Sequence, residues 1–198
     1  MKIKNIIFDF DGVLVENTNL LLETHRNHIG WISNEEYREL FDQNTMESIK
    51  KFSKENLDLF WKKWKEVLNE SIIEKKAKEF LKKNSEKKKY IISSNDEIIL
   101  EKIIKNSNLE KCFEKVLGKN THSSKIEKFL ILQNTEKINL SESIFITDSL
   151  GDLKEASYFP ELKTIAVTFG VHDRERLKQG NPDYIIDSWD ELENLNIL

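Results

Sequence analysis

Short apolar runs rich in β-branched residues recur along the chain: Ile3 to Phe10, Tyr90 to Ser93, Phe113 to Leu117, Ser143 to Thr147, Thr164 to Phe169 and Tyr184 to Ile186. Helical patterns separate them. Strands alternating with helices predict a mainly parallel sheet covered on both faces, whose strands read as nearly continuous apolar stretches. The chain is therefore expected to be α/β, with a Rossmann-like parallel sheet.

One interval breaks the rhythm. The stretch from Phe10 to Tyr90 is far longer than a single crossover helix needs. Leu57, Phe60, Trp61, Trp64, Val67 and Leu68 fall at helical spacing, giving one strongly apolar face. Ser33 with Glu36, and Ser71 with Glu74, form capping-box patterns that predict helix starts. Gly30 and Asp42-Gln43-Asn44 predict breaks. Together these features predict a small α-helical insertion over residues 16–69, above the sheet's C-terminal edge, and an α/β core made of 1–15 and 70–198. The aromatic stripe Phe60, Trp61 and Trp64 reads as the packed interior of that insertion rather than as a ligand-stacking surface.

Composition narrows the possibilities without changing the fold. The chain has 198 residues, 38% hydrophobic and 33% charged, with a net charge of −4. No basic field points to nucleic acid or an anionic membrane. The lysines between Lys75 and Lys89 are interleaved with glutamates, as on a solvated helix face. No run approaches the roughly 18 apolar residues of a membrane span. Cys112 is the single cysteine, so no internal disulfide forms. The first strand begins without a charged-then-apolar leader, and a cytoplasmic protein is expected. The exposed side of the insertion would allow either a monomer or a homodimer.

The candidate chemistry sits where the predicted strands end. Asp9 and Asp11 follow the first run and would share a face if the strand stayed extended. A buried sheet does not tolerate two unpaired carboxylates, so the strand ends near Gly12. The acids then lie in the crevice at the carboxyl edge of the sheet, where α/β folds bind ligands. Two converging acids there suggest a magnesium site with nucleophilic or acid/base chemistry. The second run ends in Ser93-Ser94-Asn95. Ser94 with Glu97 forms another capping box, which reads as a phosphate site or simply as a helix cap. Ser123-Ser124-Lys125 precedes a helical pattern carried by Ile126, Phe129, Leu130 and Gln133. Ile144-Phe145-Ile146 leads into Thr147-Asp148-Ser149-Leu150-Gly151-Asp152, where Asp152 reads either as a further acid of the site or as N-cap of a helix over Leu153 to Tyr158.

In this order the motifs resemble those of the haloacid dehalogenase-like hydrolase superfamily, over nearly the whole chain. The strand ending in Asp9-Phe10-Asp11-Gly12 matches its first motif and Ile91-Ile92-Ser93 its second, with Ser94 the less favoured alternative. Lys125 fits the third motif better than Lys119 does, and Asp148 with Asp152 matches the fourth. The helical insertion looks like the superfamily's α-helical cap, as in phosphoglycolate phosphatase-like and β-phosphoglucomutase-like members.

The resemblance implies a Mg²⁺-dependent phosphatase acting on a small phosphorylated metabolite through an aspartyl-phosphate. Asp9 would be the nucleophile and Asp11 the general acid and base. Ser93, or Ser94, and Lys125 would bind the phosphoryl group. Asp9, the Asp11 carbonyl and Asp148 would hold the metal, with Asp152 a direct or outer support. Asp11 separates the chain from the dehalogenases, which as a group lack that second aspartate. Arg26 is a candidate substrate contact from the cap, its alternative being solvated surface. Two further readings stay open at this point: a phosphomutase of the β-phosphoglucomutase type, and a catalytically silent binding protein on the same fold.

Overall fold

The computed structural model describes residues 2–68, 71–195 and 197. The expected boundary at Asn69 and Glu70, and the chain ends at 1 and 198, lie outside the described residues. Six strands, β1 (Asn5–Phe8), β2 (Lys88–Ile92), β3 (Lys115–Leu117), β4 (Ser143–Thr147), β5 (Lys163–Val167) and β6 (Tyr184–Ile186), form one sheet in the order β3-β2-β1-β4-β5-β6. Every neighbouring pair is parallel. Each predicted run overlaps one strand. Phe8 stands opposite Ile91 on one side and Ile146 on the other. Chain direction across the sheet reverses between β1 and β4, so this fold's ligand crevice opens beyond the ends of those two strands.

Alternation along the strands sends side chains into two separate cores. Ile6 and Phe8 pack with Phe80 and Leu81 of α5 (Lys75–Lys83), Ile103 of α6 (Glu97–Asn106) and Trp189 of α10 (Trp189–Asn194). Phe8 meets the Phe80 ring edge-on at 6.2 Å. On the opposite face Ile7, Tyr90 and Phe145 pack with Phe129 and Leu132 of α7 (Lys125–Thr135). Two shorter helices, α8 (Leu150–Ala156) and α9 (Arg174–Lys178), follow β4 and β5, and both contribute to a small cluster around Ala166.

Between β1 and α5 the chain forms α1 (Thr18–His28), α2 (Asn34–Glu39), α3 (Thr45–Ser48) and α4 (Lys54–Val67). The Ser33–Glu36 capping box forms in both directions. Phe60 and Trp64 of α4 are buried and join Phe10, Val13 and Leu14 in the larger core. Their rings stack within 10° of parallel, with centroids 6.2 Å apart. The Ser71–Glu74 box does not form. Ile73 N–H is donated to the Ser107 hydroxyl (2.7 Å) and Glu74 N–H to the Leu14 carbonyl (2.9 Å). With those two donors satisfied by distant partners, the helix starts only at Lys75, and Glu74 caps it by accepting Ala77 N–H. Among the described residues no helix is long and apolar enough to cross a membrane.

The loop after α2 fastens these helices to the core. Gly151 N–H donates to the Phe41 carbonyl (2.7 Å). A Cβ on Gly151 would lie 2.1 Å from the Gln43 carbonyl oxygen, so that approach requires glycine. Asn44 donates its amide to the Ser123 carbonyl (3.1 Å) and to Glu155 (3.0 Å). Asp42 accepts two bonds of 2.6 Å from the Arg176 guanidinium.

Candidate active site

β1 ends at Phe8, and the backbone turns away at Gly12, whose φ is +75°. This leaves Asp9 and Asp11 beyond the sheet edge. β2 delivers Ser93 beside them, and its N–H still pairs with the Leu117 carbonyl (2.9 Å). β4 delivers Asp148. α8 begins at Leu150 with Ser149 as its N-cap, which places Asp152 inside the first turn and not at the cap position. α7 begins at Lys125, capped by Ser124.

Lys125 joins these elements. Its ammonium lies 2.9 Å from Asp9 Oδ1 and also pairs with Asp152 Oδ2, which accepts from the Thr147 hydroxyl at 2.6 Å. Asp9 Oδ1 also accepts the Phe10 N–H (2.8 Å). Asp11 faces two amide donors, Asn17 Nδ2 at 2.6 Å and Asn95 Nδ2 at 3.0 Å from its two oxygens. Asp148 Oδ2 accepts Val171 N–H at 2.7 Å. That oxygen occupies the space a side chain would fill at Gly12 or Gly170, each ideal Cβ falling 2.1 Å from it. Both glycines are needed for the approach.

Two neighbouring expectations are corrected. Ser94 does not cap α6; Asp96 does, accepting Ile98 N–H at 3.0 Å. The Glu97 carboxylate is drawn instead to Gly118 N–H (2.7 Å), Thr121 N–H (3.0 Å) and the Thr121 hydroxyl. Arg26 is not brought to the acids. Its guanidinium is held by the Ile32 carbonyl (3.0 Å), Glu23 (2.9 Å) and Asn34 (2.7 Å).

Burial controls the electrostatics. Desolvation pushes the Asp9 pKa well above the usual carboxylate value; Lys125 pulls it down, while Asp152 and Asp148 push it further up. Desolvation likewise raises Asp11, partly offset by the amides of Asn17 and Asn95. Asp148 is pushed up to about 7, chiefly by burial. Burial would also raise Asp152, but the charge and hydrogen bond of Lys125 prevail and hold it below the normal range. Desolvation disfavours charge on Lys125, yet Asp152 and Asp9 more than compensate, so it stays protonated.

Sequence patterns did not single out several supporting groups. Lys128 is wholly buried, donates to the Ser93 carbonyl at 2.5 Å, and has its pKa lowered to about 8 by burial and by Lys125. Its spacing from Lys125, one helical turn on within an apolar pattern, was the available signal. His172 Nδ1 accepts Leu150 N–H (2.9 Å), which leaves the proton on Nε2 to donate to the Arg38 carbonyl (3.0 Å). Asn17 and Asn95 carried no distinguishing signal.

Among the described residues, no three His, Cys, Asp or Glu side chains converge as a ready-made metal cage. Magnesium does not need one; it takes one or two carboxylates with waters and substrate phosphate. Asp9 and Asp148 are buried, all-oxygen and mutually repelling, so a hard cation between them fits the donor chemistry. The same repulsion makes a prediction for protein in EDTA. Relative to Asp148→Asn, the native chain is expected to gain thermal stability as pH falls from about 8 to about 5, because folded Asp148 binds a proton near 7 while an unfolded aspartate waits until about 3.9. Buried His25 and His172, both with lowered pKa, act in the opposite direction in both proteins. Parallel melting-temperature profiles for the two proteins would exclude Asp148 as the source.

Carboxylates, a buried lysine and a hydroxyl gathered at the switch point of a parallel sheet form an anion-handling site on an α/β fold. The chain belongs to the haloacid dehalogenase-like hydrolase family, whose sequence profile matches residues 6–167. It is 27% identical over 209 residues to a protein of Caldanaerobacter subterraneus that bears the name "Putative pyrophosphatase PpaX", across 97% of this chain and 94% of that one. Among solved structures it resembles a haloacid dehalogenase-like family protein of Streptococcus pneumoniae (TM-score 0.80, 20% identity, 97% of each chain). It also resembles a predicted phosphatase of Clostridium acetobutylicum (TM-score 0.81, 19% identity, 98% of each chain).

Proposed function

We propose that this chain is a cytoplasmic, Mg²⁺-dependent phosphatase that hydrolyses a small soluble phosphomonoester through a phosphorylated Asp9, with residues 16–69 serving as its cap. The observation that carries this reading is the Asp9–Lys125 pair at 2.9 Å, with Asp11 held apart from Lys125 by its own two amide donors. Burial raises the pKa of both aspartates, but Asp9 has the Lys125 ammonium beside it to stabilise its charged form for attack. The other, raised in pKa and unpaired with a cation, is suited to carry a proton.

An oxygen of Asp9 attacks phosphorus as the bond to the leaving oxygen breaks, and Asp11 gives its proton to that oxygen. Water then attacks the acyl phosphate, Asp11 takes a proton from it, and the Asp9–phosphorus bond breaks to release inorganic phosphate. Ser93 donates to a phosphoryl oxygen, and Lys125 neutralises charge on Asp9 and the transferring group in a site where water does not screen it. Asp152 and Thr147 hold Lys125 in place. Asp9, the Asp11 carbonyl and Asp148 would hold Mg²⁺, which when bound offsets the repulsion between nucleophile and phosphate. Complete acid, base and nucleophile positions argue against a silent binding role.

The test is phosphate release over a phosphometabolite panel that includes inorganic pyrophosphate, given the relative's name, with Mg²⁺ or EDTA. Release that requires Mg²⁺ is expected. Isomerisation of a sugar 1-phosphate without net phosphate release would instead assign the phosphomutase reaction. Full activity in EDTA would remove the metal from the mechanism.

A further inference from the structure

A cavity of about 100 Å³ runs from the acid cluster to the helices above it. Its charged lining, Asp9, Asp11, Asp148, Asp152 and Lys125, all lies at the catalytic end. The remaining wall is mostly apolar, led by Leu40, Phe41, Met46, Phe60, Trp61 and Trp64. Among the described residues no arginine belongs to it, and Lys125 is its single lysine. Arg26 is tied to Ile32, Glu23 and Asn34. Lys119 is committed to the Trp61 ring, its ammonium 3.3 Å from the centroid, and is not part of the wall.

His25 and Tyr37 also line this wall, with ring centroids 5.7 Å apart. Both are buried. Among the described residues the Tyr37 hydroxyl and both His25 ring nitrogens find no partner in hydrogen-bonding geometry, although the Gly30 backbone lies near enough to favour His25 protonation. Burial, aided by the charges of Lys51 and Arg26, outweighs that influence and lowers the His25 pKa, so the wall here offers uncharged polar atoms, with Lys51 over the Phe52 ring and Arg26 on its own partners, both outside the lining. Buried polar groups without partners are uncommon and call for an explanation, of which a ligand group is one.

We infer that the site takes phosphomonoesters whose leaving group is uncharged, compact and largely apolar, and that it discriminates against leaving groups bearing a second anion. The inference rests on the phosphatase reading of the same cavity. A second carboxylate or phosphate would be desolvated against aromatic walls with no cation to meet it. A single ring or short aliphatic group would lose water and gain contacts instead. A hydroxyl or amide at its far end would find His25 and Tyr37.

The experiment compares kcat/KM for benzyl phosphate, phosphoglycolate and inorganic pyrophosphate in Mg²⁺. Benzyl alcohol and glycolate both leave as alkoxides needing a proton, and phosphate is the easier leaving group, so a preference for benzyl phosphate cannot arise from leaving-group chemistry. Benzyl phosphate is expected to be favoured about tenfold or more. Met46→Arg, which places a cation in the wall, is expected to raise kcat/KM for phosphoglycolate and lower it for benzyl phosphate. Calorimetric titration of the native protein with benzylphosphonate and with phosphonoacetate reads the same discrimination without turnover. Tighter binding of phosphonoacetate, or phosphoglycolate turned over as well as benzyl phosphate, would overturn the inference. Absence of phosphate release from every compound would sink the hydrolase reading, and the binding comparison would still decide the subsite.

Discussion

Asp9→Asn is expected to lower phosphate release by on the order of 10⁴-fold or more, the scale seen when a covalent nucleophile is removed. The amide oxygen is a far weaker nucleophile and carries no charge for Lys125 to hold. The geometry around it should survive, because the side-chain oxygen can still accept the Phe10 N–H and the Lys125 proton. Stability should move the other way. Burial is the main opposition to Asp9 ionisation, and with Asp152 and Asp148 it outweighs the pull of Lys125, so neutralising residue 9 removes a net cost. The expected signature is a nearly inactive protein that melts at the same temperature as the native chain or slightly above it. Single-turnover phosphate release and a melting curve on one preparation check it; activity within tenfold of native would remove Asp9 from the covalent role.

Asp11→Asn is expected to act selectively. Loss of a general acid costs about 10²- to 10⁴-fold when the leaving group must be protonated. An alkyl phosphate should show this full loss in the first chemical step. An aryl phosphate expels a phenolate that needs no proton, so that step should be nearly native. The deficit should then fall on hydrolysis of the phosphorylated enzyme, which uses the same carboxylate as base, and a burst of phenol should precede slow turnover. The substituted amide keeps one oxygen, which at the Oδ1 position still accepts from Asn17, while its NH2 would face the Asn95 donor and require that amide to turn. Rapid-quench kinetics on benzyl and 4-nitrophenyl phosphate separate the steps. Equal losses in the first step for both substrates would show that Asp11 does not protonate the leaving oxygen.

The strands were legible because a parallel sheet buried on both faces leaves few polar positions inside it. Ile144-Phe145-Ile146 illustrates this, each residue fully buried. The motif residues were legible for the complementary reason: Asp9 and Ser93 are the first polar residues after their apolar stretches, and Asp148 follows Ile146 after a single threonine. Helix starts were less legible. The pattern that caps α2 at Ser33 also occurs at Ser71 and Ser94, where Ser107, Leu14, Gly118 and Thr121 supply competing partners from distant parts of the chain. No local pattern contains those partners. The supporting amides of Asn17 and Asn95 were hidden similarly, since an asparagine in a loop looks the same whether it meets solvent or a buried carboxylate. Phe60, Trp61 and Trp64 show a different limit. Periodicity marks an apolar face, but core and cavity wall are both apolar, and these rings take part in both.

Gly151 couples two parts of this molecule. It lies within the stretch that supplies Asp148 and Asp152, yet its lack of a side chain serves the loop at Phe41–Gln43. Replacing the helices between β1 and α5 with another segment would require a loop whose carbonyls reach this flat landing place on α8. A substitution at Met46 changes the cavity wall and leaves that contact untouched.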